Sequence, residues 1–299
     1  MQHHDGTDVG PPAAYNGSSI PLGGPGGGSD PALLEFLSQV DTRFKMNDLG
    51  SFWGMEDAFR ALVESGFATR FINHELAQMV AQPSYLGNWR PSQIVIHRGS
   101  GFALSIWFLE HSRKYIHTTS FLGMYSPVGK ASLYYDVYRL PANYKNSVFD
   151  PAVQLIPDGV GITGQGGILL LQSEDHVYNF HAERPLPVLS FVTASFQTME
   201  WLFNKDNLYA WNANDAERSC TQLRVASYVL GRLSYPSSLE ALETLVDHGH
   251  HSVRWAAMEN MGRISRRAAL ECITRATTDP HPHVRRAAAA TLRLSAPPK

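Results

Sequence analysis

An internal repeat near the C-terminus constrains the fold more than any other feature of this 299-residue chain. Apolar segments recur there at a spacing of 31 residues, and they are VASYVLGRL at 225–233, AAMENMGRI at 256–264 and AAAATLRLS at 287–295. The flanking residues repeat as well, since Val253 and Arg254 return as Val284 and Arg285. Each unit is typical of a helix, a short polar turn and a second helix, so the pattern predicts a stack of helical pairs.

This pattern resembles that of HEAT-like repeats, and the resemblance covers roughly residues 217–295. Between residues 254 and 299, nine basic side chains outnumber three acidic ones, which gives a formal charge of +6. A basic repeat surface is suited to an acidic protein partner, to the phosphopantetheine arm of a carrier domain or to nucleic acid. The alternative interpretation is a solvated, arginine-rich face.

The bulk composition predicts a folded protein with no general attraction to nucleic acid or membranes. Hydrophobic residues make up 43% of the chain and charged residues 17%, and the formal net charge is -2. We expect no membrane span, because no apolar run approaches the required length of about 18 residues, and no secretory signal, because the N-terminus lacks a basic and an apolar region. Two distant cysteines, Cys220 and Cys272, suit a reducing compartment, so we expect a cytoplasmic protein.

Changes in composition divide the chain into four segments. Residues 1–30 are rich in glycine and proline and are expected to form a flexible tail, and apolar periodicity predicts helices at 31–85. Short β-rich runs separated by Gly and Pro turns predict an antiparallel sandwich or small barrel at 86–200, and the repeats occupy 201–299. The predicted fold class is therefore α+β.

Two histidines stand out in the β-rich segment. His117 begins the third β run, in YIHTTS, and a glycine turn follows it twelve residues later. His176 comes after the aliphatic run GGILLLQ and is followed by Asn179. This arrangement resembles the cupin superfamily, and within it the thiol dioxygenases of the cysteine dioxygenase type, over about 105 residues. The resemblance implies a cupin-like (RmlC-like) antiparallel β-barrel, although no motif of the family is complete.

The resemblance also implies a metal site. In the thiol dioxygenases three histidines hold one iron, because neutral imidazoles suit ferrous iron and leave positions open for substrate and dioxygen. His117 stands at the first ligand position and His176 at the third, whereas Thr119, a poor ligand, occupies the second. His97 shares strand parity with Gln93 and is the candidate that would complete a three-histidine set. Fe(II) is the expected cofactor, with another divalent metal or a metal-free barrel as alternatives.

The substrate-binding positions of the family are altered in this chain. The family's Ser-x-His-x-Tyr set on the final strand corresponds to Ser190, Val192 and Ala194, so two of its three members are missing. The arginine that binds a substrate carboxylate in the family falls near Gln93, and Arg90 is the nearby cation. A small molecule other than cysteine is therefore the expected substrate. The candidate substrate-binding residues are Arg90, Gln93, Thr119 and Ser190.

Other polar residues offer weaker candidates. Glu110 is a further candidate ligand, since many cupins add a carboxylate, whereas His111 is expected to face water. His181 has opposite strand parity to His176 and ranks below it. The histidines of the repeat turns, DHGHHS and DPHPH, have zinc-binding chemistry but are expected to lie in solvated turns.

Two functional hypotheses follow from these patterns. In the first, the chain is a metal-dependent oxidoreductase that acts on a small molecule in the barrel, in a biosynthetic step. In the second, the barrel is non-catalytic and the repeats bind a partner, so the protein is a scaffold or ligand sensor. Imidazoles that converge within about 2.0–2.2 Å of one point favour the enzyme. Diverging histidines, or a barrel interior filled by aromatic side chains, favour the scaffold.

Overall fold

The computed structural model describes residues 30–46, 48–85, 87, 89–90, 92–109, 114–182 and 184–295. The helices are α1 (Pro31–Arg43), α2 (Leu49–Trp53), α3 (Glu56–Glu64), α4 (Phe67–Ala81), α5 (Arg218–Leu233), α6 (Leu239–Val246), α7 (His251–Ile264), α8 (Arg266–Arg275) and α9 (Pro282–Ser295). The strands are β1 (Trp89–Arg90), β2 (Gln93–Gly99), β3 (Phe102–Leu109), β4 (Tyr115–His117), β5 (Gly123–Pro127), β6 (Leu133–Arg139), β7 (Ile156–Thr163), β8 (Leu169–Leu171), β9 (His176–His181), β10 (Leu186–Thr193), β11 (Met199–Asn204) and β12 (Ala210–Asp215). The predicted tail lies outside the described residues, apart from Asp30.

The chain is a mixed α+β protein that divides into two compact units. The first unit contains the described residues up to Tyr144 together with Pro151–Asn214. The second contains Asp215 onward and also the short segment Lys145–Asp150. The last strand ends at residue 215, and the helices of the repeats begin at Arg218. In the described part of the chain, no helix combines the length and the apolar character needed to cross a bilayer.

The N-terminal helices cover one face of the largest sheet. Helix α1 begins at Pro31 because the Asp30 carboxylate accepts a hydrogen bond from the Ala32 N–H at 2.9 Å and proline suits the first helical position. Its buried stripe and those of α2 and α3 pack on apolar side chains of β2, β3, β5 and β10. Phe191 on β10 is central, since its ring stacks on Phe52 with centroids 5.0 Å apart and meets Phe36 edge-on.

The strands form three antiparallel sheets. The largest has the order β1-β2-β3-β10-β5-β8, and the other two have the orders β12-β11-β4 and β7-β6-β9. The antiparallel sheets agree with the expectation, but the described strands do not close into a barrel. Among the described strands, β6, β7 and β9 hydrogen-bond only with one another. They therefore do not connect the two edge strands of the large sheet, β1 and β8, into a closed ring.

The second unit carries the repeat. Arg254 Nη1 donates to the carbonyls of His248 and Gly249, at 3.0 and 2.9 Å. Arg285 Nη1 makes the same pair of bonds to the carbonyls 31 residues further along, those of Asp279 and Pro280. The predicted period is therefore a structural one, in which the first turn of α7 and that of α9 are built alike.

Helix α5 packs closely on α7 through a glycine. A Cβ atom added at Gly231 would lie 2.7 Å from Asn260 Cβ and 2.8 Å from its Oδ1. Contacts this short are not tolerated, so only glycine permits the approach of the two helices. Gly262, its counterpart one repeat later, is different, because an added Cβ there would lie 3.7 Å from Ala269 Cβ.

Candidate functional site

His176 lies at the start of β9, opposite Arg139 of β6. Its Nδ1 is 2.6 Å from Asp175 Oδ1 and its Nε2 is 3.5 Å from Asp158 Oδ2. Asp158 also accepts an ion-pair contact from Arg139 Nε at 2.9 Å. Both ring nitrogens of His176 thus face carboxylates within a polar network at the strand end, and neither is directed to a second histidine.

His117 and Thr119 lie on and just after β4, in a different sheet. His117 is opposite Leu202 of β11 and is half-buried, as is Thr119. The residue between them fixes the local backbone, because Thr118 Oγ1 accepts from the Trp201 N–H at 2.8 Å and the Thr118 N–H donates to the Trp201 carbonyl at 2.9 Å. These bonds tie the end of β4 to β11.

A β-bulge changes the orientation of His97. The pairing of β2 with β3 shifts between Val95 and His97, so His97 stands opposite Leu104. Leu104 belongs to the core under the N-terminal helices, and the His97 ring centroid is 5.5 Å from that of Phe102 in the same core. The extra residue of a bulge reverses strand parity, and the expectation that His97 shares a face with Gln93 is therefore wrong.

His97 is set in an apolar environment on that face. Its Nδ1 is buried and has no hydrogen-bond partner among the described residues. Burial lowers the pKa of His97, and the negative charge of Asp41 only partly opposes this effect. The loss of hydration therefore disfavours the protonated form of this ring, which packs beside Phe102.

The candidate substrate-binding residues on the large sheet differ in exposure and in their contacts. Ser190 is buried on β10, where its hydroxyl lies 2.8 Å from Ser105 Oγ and donates to the Ser105 carbonyl at 3.1 Å. Gln93 is half-buried opposite Trp107, and Arg90 is exposed on β1. The serine therefore completes a hydrogen bond between neighbouring strands.

Aromatic side chains pack together on the inner face of these strands. Trp107 meets Tyr125 edge-on with centroids 5.8 Å apart, and Tyr125 lies 6.0 Å from Phe180. Tyr135 contacts Phe180 and Tyr178 at 6.3 and 6.0 Å. Together with Leu133, Leu169 and Val188 they form one apolar cluster.

The structure does not bring the three predicted ligands together. His97, His117 and His176 belong to three different sheets. Across the described ranges, no three His, Cys, Asp or Glu side chains converge as the ligands of a metal ion would. Glu110 and His111 lie outside the described residues.

A polar cluster that sequence reasoning ranked low lies on β6 and β9. Asp136 Oδ2 is 2.7 Å from His181 Nε2 and accepts from Asn179 Nδ2 at 3.0 Å. Burial raises the pKa of Asp136, but the hydrogen bonds from Asn179 and His181 outweigh it and leave the pKa lowered. Cross-strand pairing aligned these side chains, and the sequence signal for it was the alternation of polar residues in VYNFH.

A larger histidine cluster lies in the second unit, where solvated turns were expected. The rings of His251 and His281 are stacked, with centroids 3.6 Å apart and planes inclined by 10°. His250 stacks on His251 at 4.8 Å, and His283 meets His281 at 5.2 Å. We call these four residues the histidine cluster. The cluster joins the turns of consecutive repeats, since His250 and His251 come from one turn and His281 and His283 from the next. His250 and His281 occupy equivalent positions in the two repeats.

Fixed hydrogen bonds hold the histidine cluster in place. His281 Nε2 is 2.7 Å from the carbonyl oxygen of Ser147, in the segment that belongs to this unit. His250 Nδ1 is 2.8 Å from Ser252 Oγ, which donates to the fully buried Asp215 carboxylate at 2.7 Å. The cluster therefore ties the segment 145–150 and the start of α7 to α9.

Three rings of the cluster, those of His251, His281 and His283, have lowered pKa values. Burial, followed by repulsion from His281, His250 and His283, lowers the pKa of His251 to about 3. Burial also lowers the pKa values of His281 and His283, although carbonyl oxygens of Ser147 and Phe149 oppose the change. Two stacked imidazoles cannot both carry a charge in a half-buried site without strong repulsion.

An ion pair supports the same turns. Arg254 Nε and Nη2 donate to the two oxygens of Asp279 at 2.9 and 2.6 Å, and the side chains are only 11% and 7% exposed. Burial raises the pKa of Asp279, but the bonds from Arg254 and the His281 N–H leave it lowered. Bidentate, shielded pairs of this kind orient the groups around them.

Comparison with known proteins supports the repeat assignment. Residues 218–293 match the family model described as HEAT repeats. Among curated proteins, none is similar enough in sequence to be matched with the chain.

Two solved structures are similar to parts of this chain at a low level. One is a hydroquinone 1,2-dioxygenase in complex with Cd²⁺ and 4-hydroxybenzonitrile, which is 18% identical, covers 37% of this chain and 69% of its own and gives a TM-score of 0.28. The other is a sugar phosphate isomerase from a cupin superfamily, from Silicibacter pomeroyi, with 11% identity, 39% and 68% coverage and a TM-score of 0.21. At these TM-scores the two likenesses do not define the fold of the β region.

Proposed function

We propose that the chain is a partner-binding protein in which the HEAT repeats contact another protein and the cupin-like β region is non-catalytic. The observation that carries this proposal is the repeat at 218–293, which matches a family model and forms stacked helical pairs. Repeats of this kind expose long continuous surfaces on which partners bind. The partner is expected to be a protein, and the basic charge of +6 between residues 254 and 299 suits an acidic one.

The arrangement of the β region supports a non-catalytic role. The candidate ligands stand on separate sheets, and both nitrogens of His176 face carboxylates. Aromatic side chains contact one another on the inner face of the strands, as expected of a packed core.

A metal-dependent oxidoreductase of the cupin type is the second candidate, and one observation favours it. Strand β4, which carries His117, contacts β9, which carries His176, so the two half-buried imidazoles lie on neighbouring strands. In this function His117 and His176, with His97 or a residue outside the described ranges, would hold Fe(II) or another divalent metal. The substrate would be a small molecule, and the chain would act in the cytoplasm.

Metal content separates the two candidates. We would measure iron, zinc and manganese in the purified full chain, before and after anaerobic reconstitution with Fe(II), beside His176→Ala. His74→Ala is the matched control, because His74 is a half-buried histidine on α4. The proposal predicts no stoichiometric metal in any of the three proteins. One equivalent of iron that is retained by the wild type and by His74→Ala but lost in His176→Ala would establish the metal-dependent alternative.

A further inference from the structure

The outer face of α5 presents exposed apolar side chains. Val225, Tyr228, Val229 and Leu233 are exposed by 45–57%, and they lie three or four residues apart, so they share one side of the helix. The opposite side is buried through Ser227 and Gly231 against α7. We call these four exposed residues the α5 face.

The repeat shows which kind of structure fits this surface. Helix α7 packs on α5 through Asn260, whose side chain contacts Gly231. The 31-residue period makes Val229 the counterpart of Asn260. The α5 face is therefore the side on which a preceding helix would pack if the stack continued, and an α-helix is the element that fits it.

Basic side chains surround the α5 face. Arg218 and Arg232 are exposed on α5, seven residues before and seven after Val225, and therefore on the same side of the helix. The guanidinium of Arg263 lies 5.9 Å from the centre of the Tyr228 ring. Helix α5 itself contains no acidic residue, although Glu217 stands at its N-cap, so basic side chains outnumber acidic ones along it.

Resting on the proposed function, we infer that the α5 face binds an acidic amphipathic helix of a partner protein. The apolar stripe of the partner helix packs on Val225, Val229 and Leu233, and the carboxylates that flank this stripe pair with Arg218 and Arg232. A second copy of this chain fits less well. A twofold contact would place the arginines of one α5 against those of the other.

Binding of designed peptides tests this inference on the full chain. The probe is a fluorescein-labelled peptide of repeated Leu-Glu-Ala-Leu-Leu-Glu-Glu, about 20 residues long because shorter helices are marginal in water. The matched control peptide has lysine in place of every glutamate. Fluorescence anisotropy is expected to show binding of the acidic peptide and none of the basic one.

Variants assign the binding to the α5 face. Val229→Asp and Arg232→Glu are each expected to lower the affinity for the acidic peptide by about tenfold or more, since each removes a contact with it. Val160→Asp is the control, because Val160 is an apolar residue 83% exposed on β7 of the other unit, and it should bind as the wild type does. Arg232→Glu is also expected to improve binding of the basic peptide.

Several results would overturn the inference. These are no binding of the acidic peptide at about 100 µM, equal binding of both peptides, or binding that Val229→Asp and Arg232→Glu leave unchanged. Light scattering supplies a further test. If the wild type is a dimer and Val229→Asp is a monomer, a second copy of this chain occupies the α5 face.

Site-specific photo-crosslinking separates this inference from the proposed function. A photoreactive amino acid at Val225 tests the α5 face, and the same group at the exposed Ala289 of α9 tests the rest of the repeats. Protein adducts at Ala289 alone would leave the proposed function standing and refute the inference. Adducts at neither position would refute both.

Discussion

Acidification is expected to destabilise the helical unit through the histidine cluster. The pKa of His251 is lowered to about 3 in the folded chain, against about 6.5 when unfolded. The unfolded chain therefore takes up the proton first as the pH falls. Stability is complete above about pH 6.5 and is lost progressively as the pH drops toward the folded pKa.

The magnitude follows from the difference between the two pKa values. At about pH 5 the unfolded His251 is almost fully protonated and the folded one is not, which corresponds to about 2 kcal/mol. Water screens the exposed part of the ring, so we expect about 1–2 kcal/mol from this residue. His281 and His283 act in the same direction, because their pKa values are also lowered.

Two measurements on the full chain test this reasoning. Histidine ring NMR across the pH range should show that His251 stays neutral well below pH 6, with its signal assigned by loss in His251→Gln. Urea denaturation followed by circular dichroism should show a loss of stability at about pH 5 that is reduced in His251→Gln and retained in His74→Gln. A His251 that titrates near 6.5, or a pH dependence that His251→Gln leaves unchanged, would refute the argument.

Four further substitutions test the packing of both units by urea denaturation. Gly231→Ala should lower the free energy of unfolding by about 1–3 kcal/mol, because the new Cβ would overlap Asn260. Gly262→Ala should leave it unchanged or raise it by up to about 1 kcal/mol through helix propensity. Equal effects of the two substitutions would contradict the close approach of α5 and α7. Asp279→Asn should lose about 2–4 kcal/mol, since it leaves the shielded Arg254 charge without its bidentate partner, and a change below about 0.5 kcal/mol would count against that pair. Ser190→Ala should lose about 1–3 kcal/mol by leaving a buried hydroxyl unsatisfied, and no loss would mean that water satisfies it.

The sequence predicted what depends on local order along the chain. The helical repeat was visible because each unit recurs at a fixed spacing and because helix periodicity is a property of neighbouring residues. The α+β organisation and the antiparallel strands followed from the same local signals, since turn residues and β-rich runs alternate along the chain. The Asp30 cap and Pro31 likewise marked the start of α1.

Tertiary structure decided how the candidate site residues are oriented. One extra residue in the bulge beside His97 moved its ring to the helical face of the sheet, which strand parity alone does not reveal. Asp158 from β7 lies beside His176, and that contact depends on how β6, β7 and β9 pair. The resemblance to a metal-binding family identified residue types, but the convergence of ligands depends on three-dimensional placement.

The histidine cluster shows the same division most clearly. The sequence contained the histidines of both turns and the period that relates them, so it determined that His250 and His281 are equivalent. Only the packing of α7 against α9 brought His251 to 3.6 Å from His281 and partly shielded both rings from water. Charge repulsion and burial act over a few ångströms in space. Distances in space, rather than separations along the chain, therefore convert a histidine-rich turn into a group with a strongly lowered pKa.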